Sequence, residues 1–248
     1  MTKKKILVLS DHPLSPSGVG TQTKYFIEAL LETGRYKFVC LGGAIKHNDY
    51  RPQKIDPYGE DWIIYPIDGT TNFVHGIPYV SVSIACIIKG KLEHAVVVEP
   101  FSHDEFTASR GSGTRLNGRR IRVSGKTEKE GALYATGIPF NDPSFKNMSE
   151  YLNCLYEFAE NSRGVRRMGV ASLDLAYVAA GRFDVFFEMY LKPWDIAAGA
   201  LLVREAGGFV SDFEGGENFL STGHVLASTP KLFKPSLQTI SKHLSNLK

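Results

Sequence analysis

Two stretches of the chain bring together residue types that could handle a phosphate ester. Trp62 to His75 reads W-I-I-Y-P-I-D-G-T-T-N-F-V-H and sets a carboxylate (Asp68), a glycine (Gly69) and two hydroxyls (Thr70, Thr71) directly after an apolar run. Ile63 and Ile64 suit a buried strand, and Pro66 and Gly69 suit a sharp exit from it. A carboxylate, a backbone carbonyl and hydroxyls in one place are the hard oxygen donors that Mg²⁺ takes while keeping room for water and phosphate. The same residues also describe an ordinary strand end closed by an Asp-Gly turn. The second stretch, Lys192 to Gly208, reads K-P-W-D-I-A-A-G-A-L-L-V-R-E-A-G-G. Pro193 opens an Ala/Leu-rich helix that Gly207 and Gly208 end. Asp195 then falls at or near the first turn, where the helix dipole favours an anion and a metal or phosphate can share the place. Asp at that position also serves as a plain helix cap.

Taken together, the two stretches resemble the inositol monophosphatase family. Its signatures are a W-x-I-D-P-[IL]-D-G-T-x-N-F segment and a later W-D-x-A-A-G…E-A-G-G segment, and the resemblance runs from about Trp62 to about Phe233. It implies a Mg²⁺-dependent phosphomonoesterase that transfers phosphate directly to water, acting on an inositol phosphate or similar small polyol phosphate, in a homodimer. By position it makes Asp68, Asp195 and the carbonyl of Ile67 metal ligands. It gives Gly69 and Thr70 amides to the phosphate, with Thr70 orienting the water and Asp68 and Thr70 as the catalytic pair. Gly169 and Ala171 would contact the substrate together with Ile67, Asp68 and Asp195. Glu188 would accept hydrogen bonds from polyol hydroxyls; its alternative is a surface carboxylate at a strand end.

One departure bears on activity. Where the family pattern has an Asp, this chain has Tyr65. A phenol has an unperturbed pKa of about 10 and is a poor Mg²⁺ ligand at neutral pH. The upstream Glu of the family has no match either. Asp49 is the nearest acid there, and Asp56, Glu60 and Asp61 lie close in sequence without a sign of pointing inward. A metal site that loses ligands loses most of its affinity, so weak or absent phosphatase activity is expected, with one metal retained at best. The alternatives are a catalytically inactive binding protein on the same fold and a glycosyltransferase fragment. Neither the histidines nor Ser172 offers a rival site: His47, His94 and His103 lack ligand spacing, His75 reads as structural, and Ser172 lacks a G-x-S-x-G setting.

The N-terminal quarter reads differently. A strand (Ile6–Leu9), a Pro/Gly/Ser loop (Asp11–Gly20), a helix over Thr21–Glu32 with Phe26, Ala29 and Leu30 on its apolar face, and a strand (Phe38–Leu41) make a βαβ opening. Residues 1–65, with their S-G-V-G-T-Q loop, resemble the start of a GT-B glycosyltransferase, with His12 beside a loop that could hold a phosphate. The expectation is a chimera joined within Trp62–Asp68: a βαβ segment, 1–61, packed on an inositol monophosphatase-like domain, 62–248.

From Tyr79 onward apolar strands and helices alternate. Tyr79–Ile88 and Leu92–Glu99 read as a hairpin buried on both faces. Asn117-Gly118 marks a second hairpin inside Arg115–Val123, and Met148–Glu160 a helix with Leu152, Leu155 and Ala159 inward and Asn147/Glu150 at capping-box spacing. The expected fold class is α+β, a layered α/β/α/β/α sugar-phosphatase-like fold with the βαβ segment at its start. With 248 residues, 43% hydrophobic and a net charge of only +3, the chain is an ordinary globular one. Lys3–Lys5 and the Arg115–Arg122 region are its only basic runs. The expected partner is a small-molecule phosphate ester, with no nucleic acid and no membrane. Three widely spaced cysteines, Cys40, Cys86 and Cys154, fit buried thiols in a cytoplasmic protein rather than a disulfide framework.

Overall fold

The computed structural model describes residues 3–11, 18–43, 53–55, 57, 59–66, 68–139 and 147–244. The chain forms two compact units, Met1–Val82 and Ser83–Lys248. In the first, β1 (Lys4–Asp11), α1 (Gly18–Leu31), β2 (Tyr36–Gly43), β3 (Gln53–Ile55), β4 (Gly59–Pro66) and α2 (Thr70–Val74) follow in order. The sheet order is β1-β2-β4-β3. β1, β2 and β4 are parallel, and β3 runs antiparallel to β4. The expected βαβ opening is therefore present. Its helix buries Ile27 and Leu31, not the expected Phe26, which is exposed. The apolar face is thus turned by one residue. The expected segment boundary at 61/62 falls inside β4, where Trp62 pairs with Phe38 of β2.

The second unit contains β5 (Val82–Ile88), β6 (Lys91–Glu99), β7 (Asp104–Ser109), β8 (Gly113–Leu116), β9 (Arg119–Ile121), β10 (Leu133–Thr136), α3 (Met148–Ala159), β11 (Gly164–Arg166), α4 (Ala171–Ala179), β12 (Val185–Glu188), α5 (Pro193–Glu205), β13 (Phe209–Ser211), α6 (Phe219–Thr222), β14 (Val225–Ser228) and α7 (Pro230–Leu244). β5 to β9 form one sheet in chain order, and the other has the order β11-β10-β12-β14-β13. α4 and α5 pack against strands of both sheets, and α3 and α7 lie together on the far side of the second. The layers of this unit are sheet, helices, sheet, helices, in keeping with the expected α+β layered class.

Residue chemistry explains the layering. A helix apolar on every side must be covered on every side, and in α5 every residue from Ile196 to Val203 is buried. Gly199 lets α5 press against α4, because a β-carbon there would overlap Leu175. On the outer side Phe158 stacks on Phe187 at 4.5 Å and tilts against Tyr134 at 5.0 Å. Burial pushes the Tyr134 phenol up to about 12. α3 buries Tyr151, Cys154 and Phe158 and leaves Leu152 exposed, so the expected inward face is rotated by one position. Its N-cap, Asn147, makes no side-chain cap bond. β5 also differs from expectation: it is an edge strand with Ile84, Ile87 and Ile88 about half exposed, and Cys86 is exposed with them. The Asn117-Gly118 hairpin forms as expected, with φ of +49° and +77°, the pair of positive angles that this turn needs.

Candidate active site

The first set of site residues follows β4. Asp68 and Ser81 exchange both backbone hydrogen bonds, Asp68 N to Ser81 O at 2.9 Å and Ser81 N to Asp68 O at 3.0 Å. Gly69 then takes φ +90°, a conformation that glycine adopts without strain. This turns the chain into α2, where Phe73 N donates to Gly69 O at 3.0 Å. Asn72 is buried and donates from Nδ2 to Tyr79 O at 2.9 Å, which closes the following loop on the helix. Asp68 and Thr70 are half-buried, and His75, at the C-cap, is exposed. The expected Asp-Gly exit is therefore formed, with Thr70 at the first helical position. Tyr65 lies in β4, in register with Leu41 of β2. Ile67, Asp49, Asp56, His12 and His47 fall outside the described residues, as does most of the Pro/Gly/Ser loop.

A second set gathers at one sheet edge of the other unit. β10, β11 and β12 are parallel, so their carboxyl ends share an edge. α4 starts after β11 and α5 after β12, which points both helix N-termini at that edge. The crevice outside parallel strand ends is where open α/β sheets bind ligands, and the helix N-termini favour anions there. Gly169, with φ +75°, leads into α4, and Ala171 is its first residue. Glu188 closes β12. Asp195 is the third residue of α5, and its Oδ2 accepts the Lys192 amide at 2.9 Å. It is a helix cap, as one reading allowed; that role fixes the carboxylate in place and is compatible with ligation.

Several positioning residues had no sequence signal. A β-carbon on Gly137 would coincide with the Glu188 carboxyl group. Gly137 O in turn accepts the Tyr151 hydroxyl at 2.5 Å, and the Thr136 hydroxyl lies 2.8 Å from the same phenol oxygen. Tyr190, between Glu188 and Asp195, has φ +60°, a costly angle for a bulky residue and one that clusters at functional sites. Its ring stands edge-on to His224 at 5.2 Å, and Leu191 N donates to Gly223 O at 2.9 Å. A β-carbon on Gly223 would strike Leu191 O. These contacts moor the connection that carries Glu188 and Asp195.

Among the described residues no group of three or more His, Cys, Asp or Glu side chains stands close enough to hold a metal ion. Mg²⁺ needs less, since one or two carboxylates with a substrate phosphate suffice. Asp68 in the first unit and Asp195 in the second are each donors of that kind, and Asp195 is held at a helix start.

Comparison with known proteins agrees with this architecture. The family model for the inositol monophosphatase family matches residues 39–245. A Pseudomonas aeruginosa protein named Nus factor SuhB is 58% identical over 183 residues, 74% of this chain and 68% of that protein. The crystal structure of the extragenic suppressor protein suhB from Bartonella henselae aligns with a TM-score of 0.68 and 44% identity, covering 72% of this chain and 68% of that one. An inositol monophosphatase from Anabaena aligns with a TM-score of 0.64 and 32% identity, covering 72% and 71%. The chain belongs to the inositol monophosphatase family.

One expectation is overturned by these relatives. No nucleic-acid partner was expected, with a net charge of +3 arguing neither way and no basic run beyond Lys3–Lys5 and Arg115–Arg122, but a relative 58% identical carries the name Nus factor. Net charge averages over a surface and says nothing about where charge is concentrated. As for membranes, no helix among the described residues is long and apolar enough to cross one.

Proposed function

We propose that this protein is a Mg²⁺-dependent phosphomonoesterase of the inositol monophosphatase type, acting weakly because Tyr65 stands where the family pattern has a metal-binding Asp. The observation that carries the reading is the placement of Gly169, Ala171, Glu188 and Asp195 at one edge of parallel strands, on two helix N-termini. Asp68 and Asp195, with the Ile67 carbonyl, take the metal-ligand roles. Bound Mg²⁺ would neutralise phosphate charge and make a coordinated water more acidic. The chain's own groups do the rest. The Gly69 and Thr70 amides offer donors to phosphate oxygens, and the Thr70 hydroxyl orients the attacking water. The Glu188 carboxylate accepts hydrogen bonds from the polyol. A cytoplasmic homodimer belongs to the same reading, and sedimentation velocity measures its assembly.

The test is phosphate release from inositol 1-phosphate with and without Mg²⁺, for wild type, Tyr65→Asp and Asp195→Asn. Faint wild-type turnover, a gain in the first variant and loss in the second support the reading. Equal silence in all three supports the second reading, a non-catalytic partner in transcription, which the Nus factor name of the Pseudomonas relative favours. A turnover number in the ordinary enzyme range of about 1–10³ per second for wild type would overturn the proposed impairment.

The N-terminal segment, 1–61, is a glycosyltransferase-like piece in this proposal. Its support is the parallel β1-α1-β2 unit; the family match covers residues 39–61 and tells against that part of the segment. Thermal-shift titration with nucleotide sugars tests whether it retains a ligand.

A further inference from the structure

The β8–β9 hairpin carries Arg115, Arg119, Arg120 and Arg122, all exposed and none used by the site above. In the antiparallel register Arg115 lies directly opposite Arg120. Side chains so placed have β-carbons about 5 Å apart, and like charges there repel. The Arg120 guanidinium is laid over Gly113, with Nε and Nη2 each 2.9 Å from where a β-carbon of Gly113 would stand; the missing side chain makes room for it. Gly113, Arg115 and Arg120 share the outward face. The alternate residue Thr114 turns inward and donates to Leu202 O of α5 at 2.6 Å.

Among the described residues none of the four arginines has a carboxylate partner. Arg115 donates to Gly118 O at 3.1 Å. Three nearby acids are already engaged, Asp104 by Arg182, Glu93 by Arg110, and Glu205 by the Gly111 and Gly113 amides; Glu105, on the same face of β7 as Thr107 and Ser109, is exposed. Next on the same face come Thr107, opposite Arg115, and Ser109, opposite Gly113, with His94 Nδ1 2.9 Å from Ser109 Oγ. With Arg115 and Arg120 against the single carboxylate of Glu105, the face is net cationic, and it is hydroxyl-rich.

We propose that this outward face binds the sugar-phosphate backbone of a single-stranded nucleic acid. Guanidinium forks match phosphate oxygens bidentately, and an arriving polyanion removes the repulsion between Arg115 and Arg120. The one aromatic ring among these outward residues is the His94 imidazole, already hydrogen-bonded to Ser109, so the phosphate backbone rather than a run of stacked bases is what the face recognises. Two adjacent strands and three or four residues along them give a footprint of roughly 5 by 10 Å. That takes a few consecutive phosphates of one strand, not both rims of a major groove about 12 Å wide. The proposal rests on register and charge and is independent of the hydrolase reading.

The experiment is fluorescence anisotropy of a 12-residue oligouridylate with the full chain over a salt series. The variants are Arg115→Gln/Arg120→Gln and, as a control with equal charge loss elsewhere, Lys231→Gln/Lys234→Gln, with melting temperatures checked for each. The hairpin variant is expected to bind at least tenfold more weakly at low salt. Its log-log salt slope should shrink by about 1.4, the value for two lost contacts on a single strand. The control and Asp195→Asn should stay within twofold of wild type. The proposal is overturned by a wild type that does not bind, or by a control that loses as much as the hairpin variant. It is equally overturned if the hairpin variant keeps its affinity but self-associates, because the arginines would then only guard the β9 edge against pairing.

Discussion

Gly137 and Glu188 are in direct contact: the Glu188 carboxyl group occupies the space that any side chain at position 137 would need. The first prediction comes from that contact. Gly137→Ala should displace the carboxylate while leaving Asp195 where it is. In the Tyr65→Asp background, where the proposed function expects higher turnover, KM for inositol 1-phosphate should rise about tenfold with a smaller change in kcat. Glu188→Gln should behave in the same way. A Gly137→Ala enzyme with unchanged KM would remove Glu188 from the substrate site.

The approach of α4 to α5 gives a stability prediction. Gly199→Ala forces a methyl group into Leu175, and overpacking of this kind costs about 1–3 kcal/mol. Urea unfolding should show a lower midpoint with an unchanged slope. Gly199→Ala/Leu175→Ala should recover part of the loss, because the second change vacates the contested volume.

A third prediction concerns acid. Glu157 on α3 accepts from Lys242 Nζ at 2.7 Å, His243 Nε2 at 2.8 Å and Thr239 Oγ1 at 3.0 Å, all on α7. The hydrogen bond from Lys242, then that from His243, holds its pKa down at about 2. A carboxylate whose folded pKa is depressed stabilises the fold above its unfolded pKa and ceases to do so as pH falls through the folded value. Stability should therefore drop between about pH 4.5 and pH 2, and Glu157→Gln should flatten that limb. At pH 7 the variant should lose about 1 kcal/mol, as expected for a partly exposed ion pair. Denaturant melts at several pH values measure both effects.

His224 should titrate low. Its ring lies half-buried between Tyr190 at 5.2 Å and Phe213 at 5.3 Å, and this burial lowers its pKa although Asp212 acts in the opposite sense. A histidine that resists protonation when folded favours unfolding as pH drops below about 6.5, its unfolded value. NMR titration of the imidazole should place its midpoint below that value, and His224→Phe should remove this part of the pH dependence.

Local chemistry made much of the second unit readable in advance. Val225–Ser228 and Phe209–Ser211 appear with the expected bounds, and Pro193 opens α5 as its ring geometry favours. The Asp68-Gly69 exit and the Asn117-Gly118 turn were legible because each needs a particular backbone angle that few residues tolerate. Helix facing was less so. Phe26 and Leu152 are as apolar as the residues that are buried, and tertiary packing alone decides which side turns inward. Among the site residues, Asp195 and Glu188 were visible as types in a pattern. Gly137, Tyr190 and Gly223 were not, because their parts depend on contacts 32 to 51 positions away or on a backbone angle. The short strand β11, at Gly164–Arg166, passed unnoticed; three residues carry no periodicity.

Helix α5 is fastened at both ends. The Lys192 amide holds Asp195 at its start, while at its finish Glu205 accepts the Gly111 and Gly113 amides and Leu202 O accepts Thr114. Thirteen residues make a rod of about 20 Å. Rocking that rod by about 5° at the hairpin would swing its opposite tip by roughly 1.7 Å, and catalytic geometry is sensitive to displacements of about 1 Å. One helix, buried along its middle, thus joins the hairpin and the acid at its two ends.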